Sequence, residues 1–186
     1  DTYGMTSIEL FESIGFFEGP TIAAHVVWPT EKEIPILAQR KVGVIHNPTS
    51  NMKIASGVAP ITDMLAAGVR VGLGTDGAAS NNDLDMFEEM RLAALLPKGV
   101  SSDPTALPAE QAFGMATIEG ARAIKMDRFI GSLEPGKRAD IAVIDLDVQV
   151  PAGHGANAVA KLGQRARPGG IHDRPRRKSR SQLPFE

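Results

Sequence analysis

Short apolar runs alternate with amphipathic stretches along most of the chain. Thr21-Ile22-Ala23-Ala24 follows the breaker Gly19-Pro20 and reads as a buried strand that stops at His25. Thr30 and Glu33 have capping-box spacing, so a helix is expected from Thr30 to about Arg40, with Pro35 near the end of its first turn. Val42-Gly43-Val44-Ile45 reads as a second strand, ending at His46, and a polar loop follows it. Ile61 to Ala67 has helical spacing, with Gly68 as its stop. Val69 to Gly74 reads as a third strand, ending at Thr75-Asp76. Helices are expected from about Leu84 to Leu96, after Pro108, and from about Thr117 to Ile124. The turn Glu134-Pro135-Gly136 then leads into a last strand, Ala139 to Leu146.

Strands alternating with helices predict parallel βαβ units. The strand ends at His25, His46 and Asp76 lie 21 and 30 residues apart. A (β/α)₈ barrel spends roughly 30 residues per unit, so three units fit this chain and eight do not. An open doubly wound sheet accommodates three units as well, but the Gly-rich dinucleotide turn and the Walker-type phosphate loop are absent.

Composition narrows the class. The chain has 186 residues, 42% hydrophobic and 23% charged, which bounds it to one domain or one domain with a tail. It contains no apolar run long enough to cross a bilayer and no basic-apolar leader at its start. Cysteine is absent, which excludes a disulfide framework, a thiolate zinc site and a cysteine nucleophile, and fits a reducing compartment. A first residue of Asp1 leads us to expect a processed chain or a piece of a longer one. The net charge of −2 hides an asymmetry: residues 151–186 are rich in Gly, Pro and Arg and sum to +6, and the remainder to −8. Such a tail buries too little surface to offset its ordering entropy, and we expect it to be solvated and disordered in preference to a nucleic-acid arm.

The candidate chemistry sits where the strands stop. The carboxyl ends of parallel barrel strands form the catalytic face, and His25, His46 and Asp76 each close one. Singly, a strand-end histidine is more often a structural group, and an Asp after Gly-Thr is often the N-cap of the next helix. On successive strands the three are expected to converge on one pocket. Imidazole and carboxylate are ligands that zinc and iron accept. Gly77-Ala78-Ala79-Ser80-Asn81-Asn82 places small residues with hydroxyl and amide groups beside Asp76, as a polar substrate pressed to the backbone needs, or as a tight turn needs. Met86, Met90 and Leu92 to Leu96 read as helix core, and Trp28 as a cap on the pocket mouth or a surface anchor. Glu88 and Glu89, with Arg91 and Arg122, read as solvated or intrahelical pairs.

Ala23-Ala24-His25, His46-Asn47-Pro48-Thr49-Ser50-Asn51 and Gly74-Thr75-Asp76-Gly77-Ala78-Ala79-Ser80-Asn81 resemble strands six, seven and eight of the amidohydrolase superfamily. Asp85 to Leu95 and Gly131-Ser132-Leu133-Glu134-Pro135-Gly136-Lys137-Arg138-Ala139-Asp140 are similar too, over roughly residues 3–147 in all. The nearest branch is that of 5′-methylthioadenosine/S-adenosylhomocysteine deaminases, in the triazine-hydrolase-related group. The resemblance implies an α/β fold: the last three βα units of a TIM-type barrel at 1–128, a β-sandwich strand segment at 129–150, and the tail at 151–186. It implies that Asp76 is a metal ligand and proton shuttle, and that His25 polarises water or substrate and contacts metal in some members. It implies that Ser80 holds substrate and that His46 and Asn47 line the pocket. The cofactor would be one divalent metal, zinc with iron as alternative. The partner would be a purine nucleoside, with no nucleic acid or membrane, a cytoplasmic location, and a homo-oligomer left open.

The departures are as informative. The superfamily's His-x-His pair on strand one is absent, and so is the strand-five histidine with its glutamate three residues on; the remaining histidines are His154 and His172. A catalytic zinc takes about three protein ligands plus water. The chain by itself is therefore expected to bind zinc weakly and not to deaminate. Beyond Asp147 the similarity gives way to Gly, Pro and Arg, for which we expect a reading-frame slip near residue 148. Two readings follow: a piece of a metal-dependent deaminase, with chlorohydrolases and guanine or cytosine deaminases as the runner-up, or a non-catalytic remnant whose unpaired sheet edges invite association.

Overall fold

The computed structural model describes residues 4–144. Three strands, β1 (Ile22–Ala24), β2 (Gly43–His46) and β3 (Arg70–Leu73), form one parallel sheet in sequential order. The register pairs Ala23 with Val44 and Val44 with Val71. Parallel neighbours need a crossover, and helices supply it. α1 (Ser7–Ser13) precedes β1, and α2 (Glu33–Gln39) joins β1 to β2. α3 (Pro48–Lys53) and α4 (Ile61–Ala66) join β2 to β3. After β3 come α5 (Ala78–Asn81), α6 (Met86–Ser101), α7 (Ala109–Met115) and α8 (Ile118–Ala123).

Side chains alternate across a strand, so each face meets a different layer. Val42, Val44 and Val71 share one face and pack with Leu37 of α2, Ile61 and Met64 of α4, and Ala112 and Met115 of α7. Gly43 and Gly72 lie on the opposite face, against α8. A Cβ on Gly43 would stand 1.9 Å from the Ala123 carbonyl oxygen, and one on Gly72 2.8 Å from Gly120 Cα. The two glycines let the α8 backbone lie directly on the sheet.

The three βα units stand where the sequence places them, and the differences have local causes. α2 starts at Glu33, three residues after Thr30. Half of the expected capping box survives: the Thr30 N–H donates to Glu33 Oε2 at 2.6 Å. Glu33 also accepts from the Thr6 hydroxyl, which ties it to the start of α1. α1 itself has a full capping box, Thr6 with Glu9, and a 3₁₀ turn at Phe16–Glu18 follows it. The polar loop after His46 contains α3, which opens with Pro48 at its first position. α6 continues past Leu96 to Ser101 with Pro97 inside it, and the Ser101 hydroxyl donates to the Pro97 carbonyl at 2.7 Å. Its period buries Met90, Ala93 and Ala94 and exposes Leu95, so only part of the expected apolar run is core.

The expected last strand is corrected. Residues 139–144 have no strand conformation, and residues 145 and 146 lie outside the described residues, as does the tail. A strand exists through its neighbour's ladder, and no described strand runs beside this segment.

Candidate active site

β1 and β3 both end in backbone that ordinary residues avoid. His25 has φ +68°, Val26 +45° and Asp76 +63°. Left-handed backbone costs a residue with a Cβ on the order of 1–3 kcal/mol, most for a β-branched one such as Val26, and such strain gathers at functional sites. The kinks turn His25 and Asp76 toward each other, with His25 Nε2 3.8 Å from Asp76 Oδ2. The two side chains are about a third exposed, 35% and 36%. A cavity of about 650 Å³ beside β1 and another of about 580 Å³ between α6, α8 and residues 130–144 are lined by neither.

Hydrogen bonds fix the pair. The Ser50 and Ser80 hydroxyls each donate to Asp76 Oδ2 at 2.7 Å. Donors that favour the charged form, Ser80 first, then Ser50 and the Gly77 N–H, hold the Asp76 carboxyl down to about 2. His25 Nδ1 lies 2.8 Å from Asn51 Oδ1, an acceptor, so the proton sits on Nδ1. In the neutral Nδ1–H tautomer the Nε2 lone pair faces a carboxylate oxygen. Two electron-pair donors 3.8 Å apart call for a cation or a proton between them. Zinc bonds each ligand type at about 2.0–2.2 Å, so the gap suits one ion. The donor set fits as part of a metal site. Among the described residues no third His, Cys, Asp or Glu completes it.

Of the other expected residues, His46 and Asn47 lie beneath this surface. Asn47 is buried; in the amide orientation that satisfies both its ends, Nδ2 donates to the Ile45 carbonyl at 2.8 Å and Oδ1 accepts from the Asp76 N–H at 3.3 Å. His46 is 1% exposed, and neither ring nitrogen has a partner. Trp28 is a surface aromatic, 80% exposed, donating from Nε1 to the Ser56 carbonyl at 2.8 Å. Arg122 pairs with Glu119 within α8, as expected of an intrahelical pair. Glu89 is corrected: it is fully buried and accepts from Asn81 and Thr49, because α6 turns it toward α3 and α5. Ser50 and Asn51 were visible in the motif after His46, but only the helical turn of α3 shows that they reach Asp76 and His25.

Burial, with the charge of nearby His25 adding to it, holds His46 down to about 4. The unfolded imidazole gains its proton near pH 6.5. Between those values the unfolded chain binds more protons, so this contribution is fully present above about pH 6.5 and is lost as the pH falls toward 4. The shift corresponds to about 3 kcal/mol. Thermal melts from pH 7.5 to 4.5 are expected to fall steeply for the wild type and less for His46→Gln. Equal slopes would show that other groups carry the acid sensitivity.

His25 and Asp76 thus converge at the carboxyl ends of parallel strands, the place where barrel enzymes keep their chemistry. The sequence profile of the amidohydrolase family matches residues 2–170, and the chain belongs to that family. A 5-methylthioadenosine/S-adenosylhomocysteine deaminase of Moorella thermoacetica is 56% identical over 144 residues, 77% of this chain and 34% of the relative. An adenosine deaminase of Xanthomonas campestris, solved with bound zinc, superposes with TM-score 0.71 at 46% identity, covering 74% of this chain and 31% of that one. A zinc-complexed atrazine chlorohydrolase of Arthrobacter aurescens superposes with TM-score 0.76 at 34% identity, covering 87% and 36%. The chain spans about a third of the length of the curated relatives it matches, and its parallel sheet is part of a barrel wall.

Proposed function

We propose that this chain supplies the strand-end histidine and aspartate of a zinc-dependent deaminase. The substrate would be 5′-methylthioadenosine or S-adenosylhomocysteine, converted to the inosine analogue and ammonia. The carrying observation is the His25 Nε2–Asp76 Oδ2 pair with its hydroxyl clamp, and the identity to a deaminase of that specificity supports it. Zinc, or iron in its place, supplies when bound the positive charge that makes water nucleophilic near neutral pH.

The chain's own groups do the rest. Asp76, ionised, takes a proton from the attacking water and passes it to the departing amine. The water oxygen adds to C6 as the C6–N1 π pair moves onto N1, and the bond from C6 to the protonated amino nitrogen breaks when that pair returns and ammonia leaves. His25, proton on Nδ1, directs its Nε2 lone pair into the same space. Asn47 steadies the Asp76 backbone, Ser80, its proton on Asp76, offers its oxygen to a substrate donor, and His46 lies under the pocket floor. The same reading places the protein in the cytoplasm with a small-molecule partner; no described helix is long and apolar enough to cross a membrane.

By itself the 186-residue chain is expected to bind zinc weakly and to leave 5′-methylthioadenosine unchanged. The positive test grafts residues 3–147 into the Moorella relative in place of the third of that protein that they match. The joined barrel is expected to bind zinc and release ammonia from 5′-methylthioadenosine in preference to guanine or a chlorotriazine. A folded, zinc-loaded barrel that turns over only the chlorotriazine would favour the chlorohydrolase reading. One that turns over nothing would end the enzymatic one.

A further inference from the structure

Glu89 is a carboxylate where a helix normally places an apolar residue. It is fully buried, and none of the ion pairs among the described residues includes it. Burial raises its pKa against the hydrogen bonds that favour its charge. Burying a carboxylate without a counter-charge is unfavourable. What the carboxylate provides in return is two acceptors at a fixed separation. Oε1 accepts from Asn81 Nδ2 at 2.6 Å, and Oε2 accepts from the Thr49 N–H at 3.2 Å.

Both partners adjoin the site. Thr49 sits in the first turn of α3, and the next residues are Ser50, which donates to Asp76, and Asn51, which accepts from His25. Asn81 ends α5 next to Ser80, which donates to the same Asp76 oxygen. Asn81 Oδ1 is occupied by the Leu84 N–H at 2.8 Å, which fixes which way its amide points. We propose that Glu89 is a positioning residue whose two carboxylate oxygens lock α3 to α5 and so hold His25 opposite Asp76. This rests on reading His25 and Asp76 as the metal-binding pair.

The hydrogen-bond chemistry makes the idea testable by exchange. Glu89→Gln keeps one acceptor and turns the other into a donor. That donor must face either the Thr49 N–H or the Asn81 amide, so one bond is lost. Adding Asn81→Asp restores the pattern: Gln Oε1 accepts from Thr49, Gln Nε2 donates to the new carboxylate, and that carboxylate still accepts from Leu84.

The full chain, isotope-labelled, is examined as wild type, Glu89→Gln, Glu89→Gln/Asn81→Asp, and Leu37→Ala as a core variant of general instability. The readouts are amide hydrogen exchange, the ring-nitrogen shifts of His25, and affinity for zinc ion. Glu89→Gln is expected to speed exchange about tenfold in both α3 and α5 relative to β2. The His25 ring is expected to lose its single Nδ1–H tautomer, and zinc affinity to fall about tenfold. The double variant is expected to recover all three, whereas Leu37→Ala speeds exchange throughout and leaves the tautomer alone. The proposal is overturned if Glu89→Gln loosens one helix only, if it mimics Leu37→Ala, or if the double variant recovers nothing. Should Glu89→Gln not fold, the double variant decides: wild-type exchange and tautomer support the proposal, and a second failure to fold overturns it. A joined barrel whose His25 and Asp76 ignore zinc would defeat the functional reading, while exchange and tautomer in the chain itself would still judge Glu89.

Discussion

In the joined barrel, Asp76→Asn lowers deamination about a thousandfold or more and leaves the fold in place. Asparagine matches aspartate in shape, and its amide oxygen still accepts from the Ser50 and Ser80 hydroxyls that now meet Oδ2. It lacks the two properties the chemistry needs, a negative charge for the metal and a basic oxygen for the water's proton. The hydroxyl clamp that keeps Asp76 ionised down to about 2 also makes it a weak base at rest, so the proposed proton transfer depends on its placement at the reacting atoms. Ser80→Ala removes one clamp donor and keeps the carboxylate, and is expected to cost about tenfold. Turnover number, zinc stoichiometry and melting temperature together check this. If Asp76→Asn retained more than a tenth of the activity, Asp76 would not be the proton carrier.

The barrel units were legible because their signals are local. Val42 and Val44 alternate with Gly43 and Ile45, and a polar residue, His25, His46 or Asp76, stands at or just past the end of each strand. The Thr6–Glu9 capping box was equally written in the sequence, and α1 was missed because its apolar face is short and nothing in it is fully buried. α3 has no apolar period at all. Its buried residues are Pro48, Ser50 and Asn51, so a reading based on hydrophobicity sees a loop. The strand expected at 139–146 shows the opposite limit, since an apolar run favours strand only where a neighbour offers its ladder.

Convergence at the site was legible in part. Strand ends brought His25 and Asp76 within 3.8 Å, as the βα spacing implied. The same spacing could not say which face His46 takes. Alternation puts it with Val44 on the side covered by helices, 1% exposed and away from the open surface where His25 and Asp76 meet. Glu89 was hidden for a related reason: a glutamate next to Glu88 in a charged first turn looks solvated until the helix is rotated into place.

That rotation of layers against one another also sets the largest stability effect. Gly43→Ala is expected to destabilise the protein by about 3 kcal/mol or more, beyond the usual overpacking cost. The added methyl would stand 1.9 Å from the Ala123 carbonyl oxygen and 2.6 Å from its carbon, both backbone atoms, so no rotamer change relieves the contact. α8 would have to lift from β2, and with it Gly120 from Gly72 of β3. A drop in melting temperature of about 10 °C or loss of soluble protein is the expected result. Gly99→Ala is the internal control. It lies inside α6 with nothing within 4 Å of its would-be Cβ, and is expected to raise stability by about 0.5–1 kcal/mol. If the two variants melted together, the direct seating of α8 on the sheet would be wrong, and the support beneath the β2 and β3 strand ends would have to come from elsewhere.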